Sequence, residues 1–173
     1  MKAVLISTQP KWCNPIAELI KKIEVRKTRP RSVPFKAFIY CTKDEPLYHS
    51  GEKFWCKNAG EFGNGKVIGE FVCYKVDEYT PKEFEWESGN TSLEYHIPTI
   101  EGEKTCLEYD EVRKYGGDKP IYFWHISDLV IYDKPKELSD FRLAEYRQGK
   151  ITRPSKPLTR APQSWCYVEE VTP

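Results

Sequence analysis

The sequence lacks several features that would define a protein class at once. No apolar run approaches the ~18 residues needed to cross a membrane. There is no internal repeat or low-complexity tract, and residues 1–7 are too few for the core of a signal peptide. We therefore expect a cytoplasmic protein with no membrane partner. Its 173 residues predict a single domain over 1–173, large enough for a continuous core.

Cysteine and histidine are not grouped as metal or disulfide sites. No Cys-x-x-Cys pair occurs, and the three histidines lie near none of the six cysteines in sequence. Zinc sites need clustered ligands, and disulfide frameworks are typical of smaller secreted chains. We expect no metal, no other cofactor and reduced cysteines. The residues concerned are Cys13, Cys41, Cys56, Cys73, Cys106, Cys166, His49, His96 and His125.

The net charge of +1 conceals a strong segregation of charge along the chain. Residues 1–43 hold ten Lys and Arg against two Asp and Glu, whereas residues 70–111 hold three against twelve. Residues 142–160 are basic again. The basic segments could attract phosphate and the middle would repel it. Ion pairing of these charges across the fold is the alternative interpretation.

Short strands dominate the pattern of apolar residues. Alternation and turn residues predict strands over 2–7, 22–28, 35–41, 66–76, 121–127, 129–132 and 163–169, with helices over 12–20 and 105–115. Residues 77–104 are acidic and indicate a loop-rich insertion or a variable edge. Residues 142–173 form a basic, proline-rich tail. Because it ends in the aromatic strand, we expect it to return to the domain and wrap around it.

One basic stretch indicates a site for a polar ligand. Lys21 precedes the alternating residues Glu24-Val25-Arg26, which places the Glu24 and Arg26 side chains on one strand face. Arg26 and Lys21 can hold a phosphate or a carbonyl oxygen, and Glu24 can accept from an exocyclic amine. A structural ion-pair network without a ligand is the alternative interpretation.

These residues resemble the ASCH (activating signal cointegrator homology) domain, whose motif reads Gly-x-Lys-x-x-Glu-x-Arg. Lys21, Glu24 and Arg26 occupy the last three motif positions, and the likeness is to small bacterial and phage members. ASCH domains are PUA-like, so the resemblance implies an α+β fold, a small β-barrel with two short flanking helices. Further matching segments are Gln9-Pro10-Lys11-Trp12, Gly69, Phe71, residues 122–127, Leu129 and residues 163–167.

The chain departs from the family pattern at two positions. Leu19 stands at the motif glycine that usually ends the helix, so we expect the helix to continue or to turn differently. Some small members are amidohydrolases of N4-acetylcytidine that carry a Thr nucleophile at the motif Glu position. This chain has Glu24 there, and Thr28 is not matched to that position. The resemblance therefore gives little support to that particular hydrolysis.

The resulting hypothesis is binding of RNA or of a nucleotide or modified nucleoside, in a cleft between the first helix and the barrel. Tryptophan faces can stack a base at about 1–3 kcal/mol, although tryptophans within apolar strands are more often core residues. The sequence leaves the oligomeric state open. The predicted ligand-binding residues are Lys11, Trp12, Lys21, Glu24, Arg26, Trp124, Gln163, Ser164 and Trp165.

Two other functions remain open. In a hydrolase, either a ribonuclease or an amidohydrolase of a modified nucleoside, Lys21 and Glu24 would be the catalytic acid–base pair if burial shifts their pKa values. His125 is a further acid–base candidate, with a structural role as its alternative. A protein-interaction module that uses residues 77–104 is the third function.

Overall fold

The computed structural model describes residues 1–43, 65–147, 150–151 and 156–170. His49, Cys56 and part of the basic tail lie outside the described residues. Among the described residues, eleven strands and three α-helices define the architecture. No helix in the described ranges has both the length and the apolar character needed to span a membrane.

One seven-stranded sheet forms the centre of the domain. Its strands are β1 (Lys2–Thr8), β2 (Ile23–Arg26), β3 (Phe35–Cys41), β4 (Val67–Tyr79), β7 (Ile121–Lys136), β8 (Phe141–Leu143) and β11 (Trp165–Glu170). Their order in the sheet is β2-β7-β4-β3-β1-β11-β8, and β1 and β3 are parallel whereas the other pairs are antiparallel. The hairpins β5 (Lys82–Glu85) with β6 (Thr91–Glu94) and β9 (Tyr146–Arg147) with β10 (Lys150–Ile151) are separate.

The α+β class is confirmed, but the closed barrel is not. Among the described residues β2 and β8 are the outer strands of the sheet and do not pair with each other. They are also its shortest strands, with four and three residues, and offer little backbone for closure. Three register shifts between β4 and β7 interrupt the longest ladder, and such bulges bend a sheet without closing it.

In the described ranges, three short α-helices accompany the sheet: α1 (Pro10–Ala17), α2 (Thr99–Glu103) and α3 (Tyr109–Gly116). The predicted helix over 12–20 begins two residues earlier, because Pro10 occupies the first turn, where a missing N–H costs nothing. The predicted helix over 105–115 begins at Tyr109, after Glu108 and Glu111 form a reciprocal capping box.

The acidic segment 77–104 is more ordered than a loop-rich insertion. It contains the end of β4, the β5–β6 hairpin and α2. The two predicted strands over 121–127 and 129–132 form the single strand β7, in which Asp128 has a left-handed φ of 47°. A local distortion at Asp128 thus takes the place of the break that the sequence indicates.

Three apolar clusters fill the part of the domain that the structure describes. The first lies between α1 and the sheet, where Cys13 and Ile16 pack with buried residues of β1, β3 and β4 and with Trp124. The second lies around Phe38, Phe141 and other residues that join β3 to the C-terminal strands. The third joins β2 and β7 to Val112 of α3. Strand β7 therefore contributes to all three clusters, through Trp124, Tyr132 and Phe123 respectively.

The end of α1 determines how the chain enters β2. The N–H of Ile20 binds the carbonyl of Pro15 and the N–H of Leu19 binds that of Ile16, which is the hydrogen-bond pattern of a Schellman motif. Leu19 has φ 59°, in the left-handed region that favours glycine. The helix thus ends despite the leucine at the motif glycine position, and our expectation of a different turn was wrong.

Candidate functional site

The β2–β7 ladder places the charged residues of the candidate site on one face. Glu24 pairs with Trp124 and Arg26 pairs with Tyr122, and directly paired residues in an antiparallel ladder point to the same side. Glu24 and Arg26 are 7% and 6% exposed, and Lys21 is 2% exposed. Three ionisable side chains predicted from the sequence are therefore close together and buried.

Glu24 connects the two cations. Its Oε1 lies 2.8 Å from an Arg26 Nη2 and its Oε2 lies 3.6 Å from the Lys21 ammonium. Lys21 also donates a hydrogen bond of 2.6 Å to the Thr105 carbonyl, in the link between α2 and α3. This arrangement fixes the carboxylate between two cationic groups.

Arg26 is held by backbone groups from both termini. Its Nη2 donates to the Ser7 carbonyl at 2.9 Å, and its Nη1 donates to the Ser164 carbonyl at 3.2 Å and approaches the Ser164 hydroxyl at 3.4 Å. The Nε of Arg26 is buried without a hydrogen-bond partner among the described residues. One donor of the guanidinium therefore has no acceptor within the described part of the chain.

The predicted residues of α1 lie beside the lysine. The Lys21 ammonium is 5.3 Å from the centroid of a Trp12 ring, and the exposed Lys11 ammonium is 4.7 Å from a Trp12 ring. Trp12 is partly exposed. Cations over an indole are electrostatically favourable, so Trp12 stabilises the cations at the rim of the site.

The two predicted strand tryptophans differ in accessibility. Trp124 is fully buried and packs edge-on against Phe35 and Trp165, so it has the core role that the sequence left as the alternative. Trp165 is partly exposed, and its Nε1 donates to the Thr28 hydroxyl at 2.9 Å. Gln163 is exposed to solvent. Of the two rings, only Trp165 has surface available to a ligand.

Burial shifts the ionisation of two groups at this site. Burial lowers the pKa of Lys21, although the Glu24 carboxylate beside it opposes the shift. Burial raises the pKa of Tyr115 on α3, where Arg26 acts to lower it and Glu24 to raise it. Tyr115 is 38% exposed and was not among the residues predicted from the sequence.

The charges of the site do not balance. In the described ranges, Glu24 is the single carboxylate in ion-pair contact with Lys21 or Arg26. If both cations are ionised, the site has one excess positive charge in a buried environment. A buried charge is costly without a partner, so the arrangement favours either an anionic ligand or a neutral lysine.

Sequence reasoning missed the groups that hold the cations. The acceptors from Ser7 and Thr105 are backbone carbonyls, which carry no side-chain signal. Ser164 was predicted as a ligand contact, and it lies at the site as a partner of Arg26. The proximity of Tyr115 follows from the packing of α3 on β2, which periodicity alone does not reveal.

Comparisons with known proteins show the fold. No family model and no curated protein matches the sequence. The crystal structure of ASCH from Zymomonas mobilis aligns over 97% of this chain and 88% of its own, with a TM-score of 0.53 and 15% identity. The chain has the ASCH fold. A tyrosine-to-phenylalanine variant of the Zymomonas mobilis protein aligns over 98% and 91%, with a TM-score of 0.51 and 15% identity.

Proposed function

We propose that this ASCH-fold protein binds RNA or a nucleotide and holds a phosphate or the polar edge of a base at Lys21, Glu24 and Arg26. The observation that carries the proposal is the excess of cations, since two buried cations contact one buried carboxylate. Removing charge from water is costly unless an opposite charge is close. A phosphate group would supply the missing negative charge.

Exposed cations on the chain that follows Arg26 support a nucleic-acid ligand. The exposed Lys27 ammonium lies 4.9 Å from the centroid of the Tyr115 ring, and the exposed Arg29 guanidinium carbon lies 5.7 Å from that of Tyr122. Grooves for single strands combine cations that follow the backbone with rings on which bases stack, at about 1–3 kcal/mol per base. This surface would guide a strand towards Arg26.

Entry to the buried cations would pass between α1 and the C-terminal strand. Trp12 and Trp165 are both partly exposed. Trp12 lies beside the Lys21 ammonium, and Trp165 packs against Trp124, the cross-strand partner of Glu24. A base stacked on either ring would place its phosphate or its polar edge near Lys21 and Arg26. The ligand-binding roles of these rings and of Lys11, Gln163 and Ser164 are part of the proposal.

Fluorescence anisotropy with labelled single-stranded RNA, and competition by mononucleotides, tests the proposal. Arg29→Ala should weaken RNA binding without loss of folding, because Arg29 is exposed. If Arg29 contacts a phosphate, the slope of log affinity against log salt should become smaller in magnitude by about 0.7. Lys82→Ala, an exposed cation of the acidic β5–β6 hairpin, is the matched control and should bind like wild type.

Lys21→Met tests the buried site itself, because it removes the charge and retains an unbranched side chain. We expect it to reduce the affinity for both RNA and mononucleotides, with thermal melting as the check on folding. Weak binding that is equal for wild type, Arg29→Ala and folded Lys21→Met would overturn the proposal.

A hydrolase is the second candidate, and the lowered pKa of Lys21 favours it. A lysine that is more readily neutral can accept a proton, and Glu24 lies 3.6 Å from its ammonium. The reaction would be cleavage of RNA or of an amide on a modified nucleoside. Incubation of wild type and Glu24→Gln with RNA and with acetylated nucleosides separates the two candidates. Turnover that disappears in Glu24→Gln supports the hydrolase. Binding without turnover supports a non-catalytic binding protein.

A further inference from the structure

Three possible metal ligands from separate elements meet on the other face of the β2–β7 ladder. His125 of β7 pairs with Ile23, so it points away from the face of Glu24. Its Nε2 lies 2.7 Å from Asp77 Oδ2 of β4 and 3.8 Å from Glu101 Oε2 of α2. The three donor atoms all lie within 4.8 Å of one another.

One oxygen atom of this cluster is a buried acceptor that lacks a hydrogen-bond donor among the described residues. Glu101 Oε2 is enclosed by protein and has no hydrogen-bond partner among the described residues. The His125 side chain is 6% exposed, and its ring packs against that of Tyr74. A buried carboxylate oxygen without a partner is destabilising, and this one lies beside a buried imidazole and a second carboxylate.

The donor set and its spacing fit a transition metal. Zn²⁺ binds His nitrogen and carboxylate oxygen at about 2.0–2.2 Å in tetrahedral geometry, which places neighbouring ligand atoms roughly 3.3 Å apart. The His125 separations of 2.7 and 3.8 Å lie on either side of that value. An imidazole ligand disfavours Mg²⁺ and Ca²⁺, which prefer oxygen donors.

We propose that Asp77, Glu101 and His125 form a divalent metal site that takes Zn²⁺. Three protein ligands leave a fourth tetrahedral position for water or for another ligand. The sequence did not indicate this site, because its three residues are separated by 24 positions each and lie in no ligand motif. Only the pairing of β4 with β7 and the position of α2 bring them together.

Two lysines form ion pairs with these carboxylates. Lys75 lies 2.7 Å from Asp77 Oδ2 and is 53% exposed, and Lys104 lies 3.5 Å from Glu101 Oε1. An exposed ammonium forms a weak ion pair, so Lys75 can move into solvent when a metal binds. Lys104 contacts the other oxygen of Glu101 and leaves Oε2 available.

The metal site would also stabilise the segment that contacts the candidate site of Lys21, Glu24 and Arg26, called the Lys21 site below. The Lys104 carbonyl accepts hydrogen bonds from the N–H groups of Lys22 and Ile23. The neighbouring Thr105 carbonyl accepts from Lys21. A metal on Glu101 would fix α2 against β7 and thereby fix these acceptors, whatever ligand the Lys21 site binds.

Calorimetric titration of the chelator-treated full chain with Zn²⁺ tests the proposal. We expect one ion per chain at this site, a rise in melting temperature, and an affinity at least about tenfold lower in Glu101→Gln and in Asp77→Asn, since loss even of a group supporting a ligand has such an effect. Glu103→Gln is the matched control, because Glu103 is exposed on the same helix and should bind like wild type.

The absorption spectrum of the Co²⁺-loaded protein distinguishes this site from the cysteines of the chain. We expect visible d–d bands without a thiolate charge-transfer band, because the proposed ligands are nitrogen and oxygen. The proposal is overturned if wild type binds no Zn²⁺, if folded Glu101→Gln and Asp77→Asn both retain wild-type affinity, or if bound Co²⁺ shows thiolate ligation.

Discussion

The Lys21 ammonium donates a hydrogen bond of 2.6 Å to the backbone carbonyl of Thr105, which lies 84 positions later in the chain. The contact joins the start of β2 to the link between α2 and α3. Glu24 and Arg26 extend the same network to Ser7 and Ser164. The candidate site thus connects segments from the beginning, the middle and the end of the domain, and its ionisation should affect the stability of the whole fold.

The first prediction concerns the pH dependence of stability. Burial lowers the pKa of Lys21 despite the opposing effect of Glu24, whereas an unfolded lysine titrates near pH ~10.4. Between these two pKa values the unfolded chain binds more protons, so the contribution of Lys21 to the free energy of unfolding increases with pH. It is lost as pH falls through the folded-state pKa. Relative to Lys21→Met, wild type should become more stable as pH rises towards about 10.

Urea denaturation of wild type and Lys21→Met at several pH values measures this difference, in which the titration of all other groups largely cancels. Lys82→Met, an exposed lysine of β5, supplies the baseline. For each variant, the difference in free energy of unfolding from wild type is plotted against pH. If the curve for Lys21→Met has the same pH dependence as the curve for Lys82→Met, the prediction is wrong.

The second prediction compares a buried carboxylate with an exposed one. Glu24→Ala leaves Lys21 and Arg26 buried without their shared carboxylate, which should cost about 3–5 kcal/mol of unfolding free energy. Glu137 forms an ion pair with Lys66 and its side chain is 58% exposed. Glu137→Gln removes that charge and keeps a side-chain acceptor for the backbone N–H of Asp140, so it should cost less than about 1 kcal/mol. Equal small losses in chemical denaturation would show that the Glu24 ion pairs contribute little.

The third prediction concerns the leucine that ends α1. Leu19 has φ 59° and is 54% exposed. This backbone region costs a non-glycine residue roughly 1–2 kcal/mol, and the greater freedom of unfolded glycine offsets about 0.5–1 kcal/mol. Leu19→Gly should therefore stabilise the protein by about 0.5 kcal/mol.

Ile20→Gly is the matched control for Leu19→Gly. Ile20 is similarly exposed at 59% and is not in the left-handed region, so its replacement by glycine should destabilise the protein. Thermal melts of the two variants should shift in opposite directions; a lower melting temperature in both would refute the account of the helix end.

The sequence predicted which charged residues of the candidate site lie together more fully than it predicted the topology of the sheet. Charge alternation was sufficient to place Glu24 and Arg26 on one face of β2, because strand geometry is local. The helix end could not be predicted, because Leu19 has no intrinsic preference for the left-handed region and is held there by the hydrogen bonds around it. The sequence also could not predict that the sheet stays open rather than closing into a barrel. Closure depends on whether the two outer strands, β2 and β8, pair with each other, and strand patterns do not reveal this. The His125 cluster arises from three distant elements and has no local signal.

The last prediction concerns the C-terminal tail. The structure places β11 between β1 and β8, and Val168 within it is fully buried. Deletion of residues 142–173 would remove β11 and most of β8 and expose the edge of β1. Since burial contributes about 25 cal/mol per Å² of apolar surface, we expect the truncated chain to melt at a much lower temperature or to lose cooperative unfolding.

A point variant tests the same strand without truncation. Val168→Ala should lower the free energy of unfolding by about 2 kcal/mol, because it leaves a cavity in the cluster around Phe38 and Phe141. Glu169→Gln is the matched control, since Glu169 is exposed one residue further along β11 and should change stability by less than about 0.5 kcal/mol. If the truncated chain melts at the wild-type temperature and Val168→Ala behaves like Glu169→Gln, the prediction is wrong and the tail contributes little to the stability of the fold.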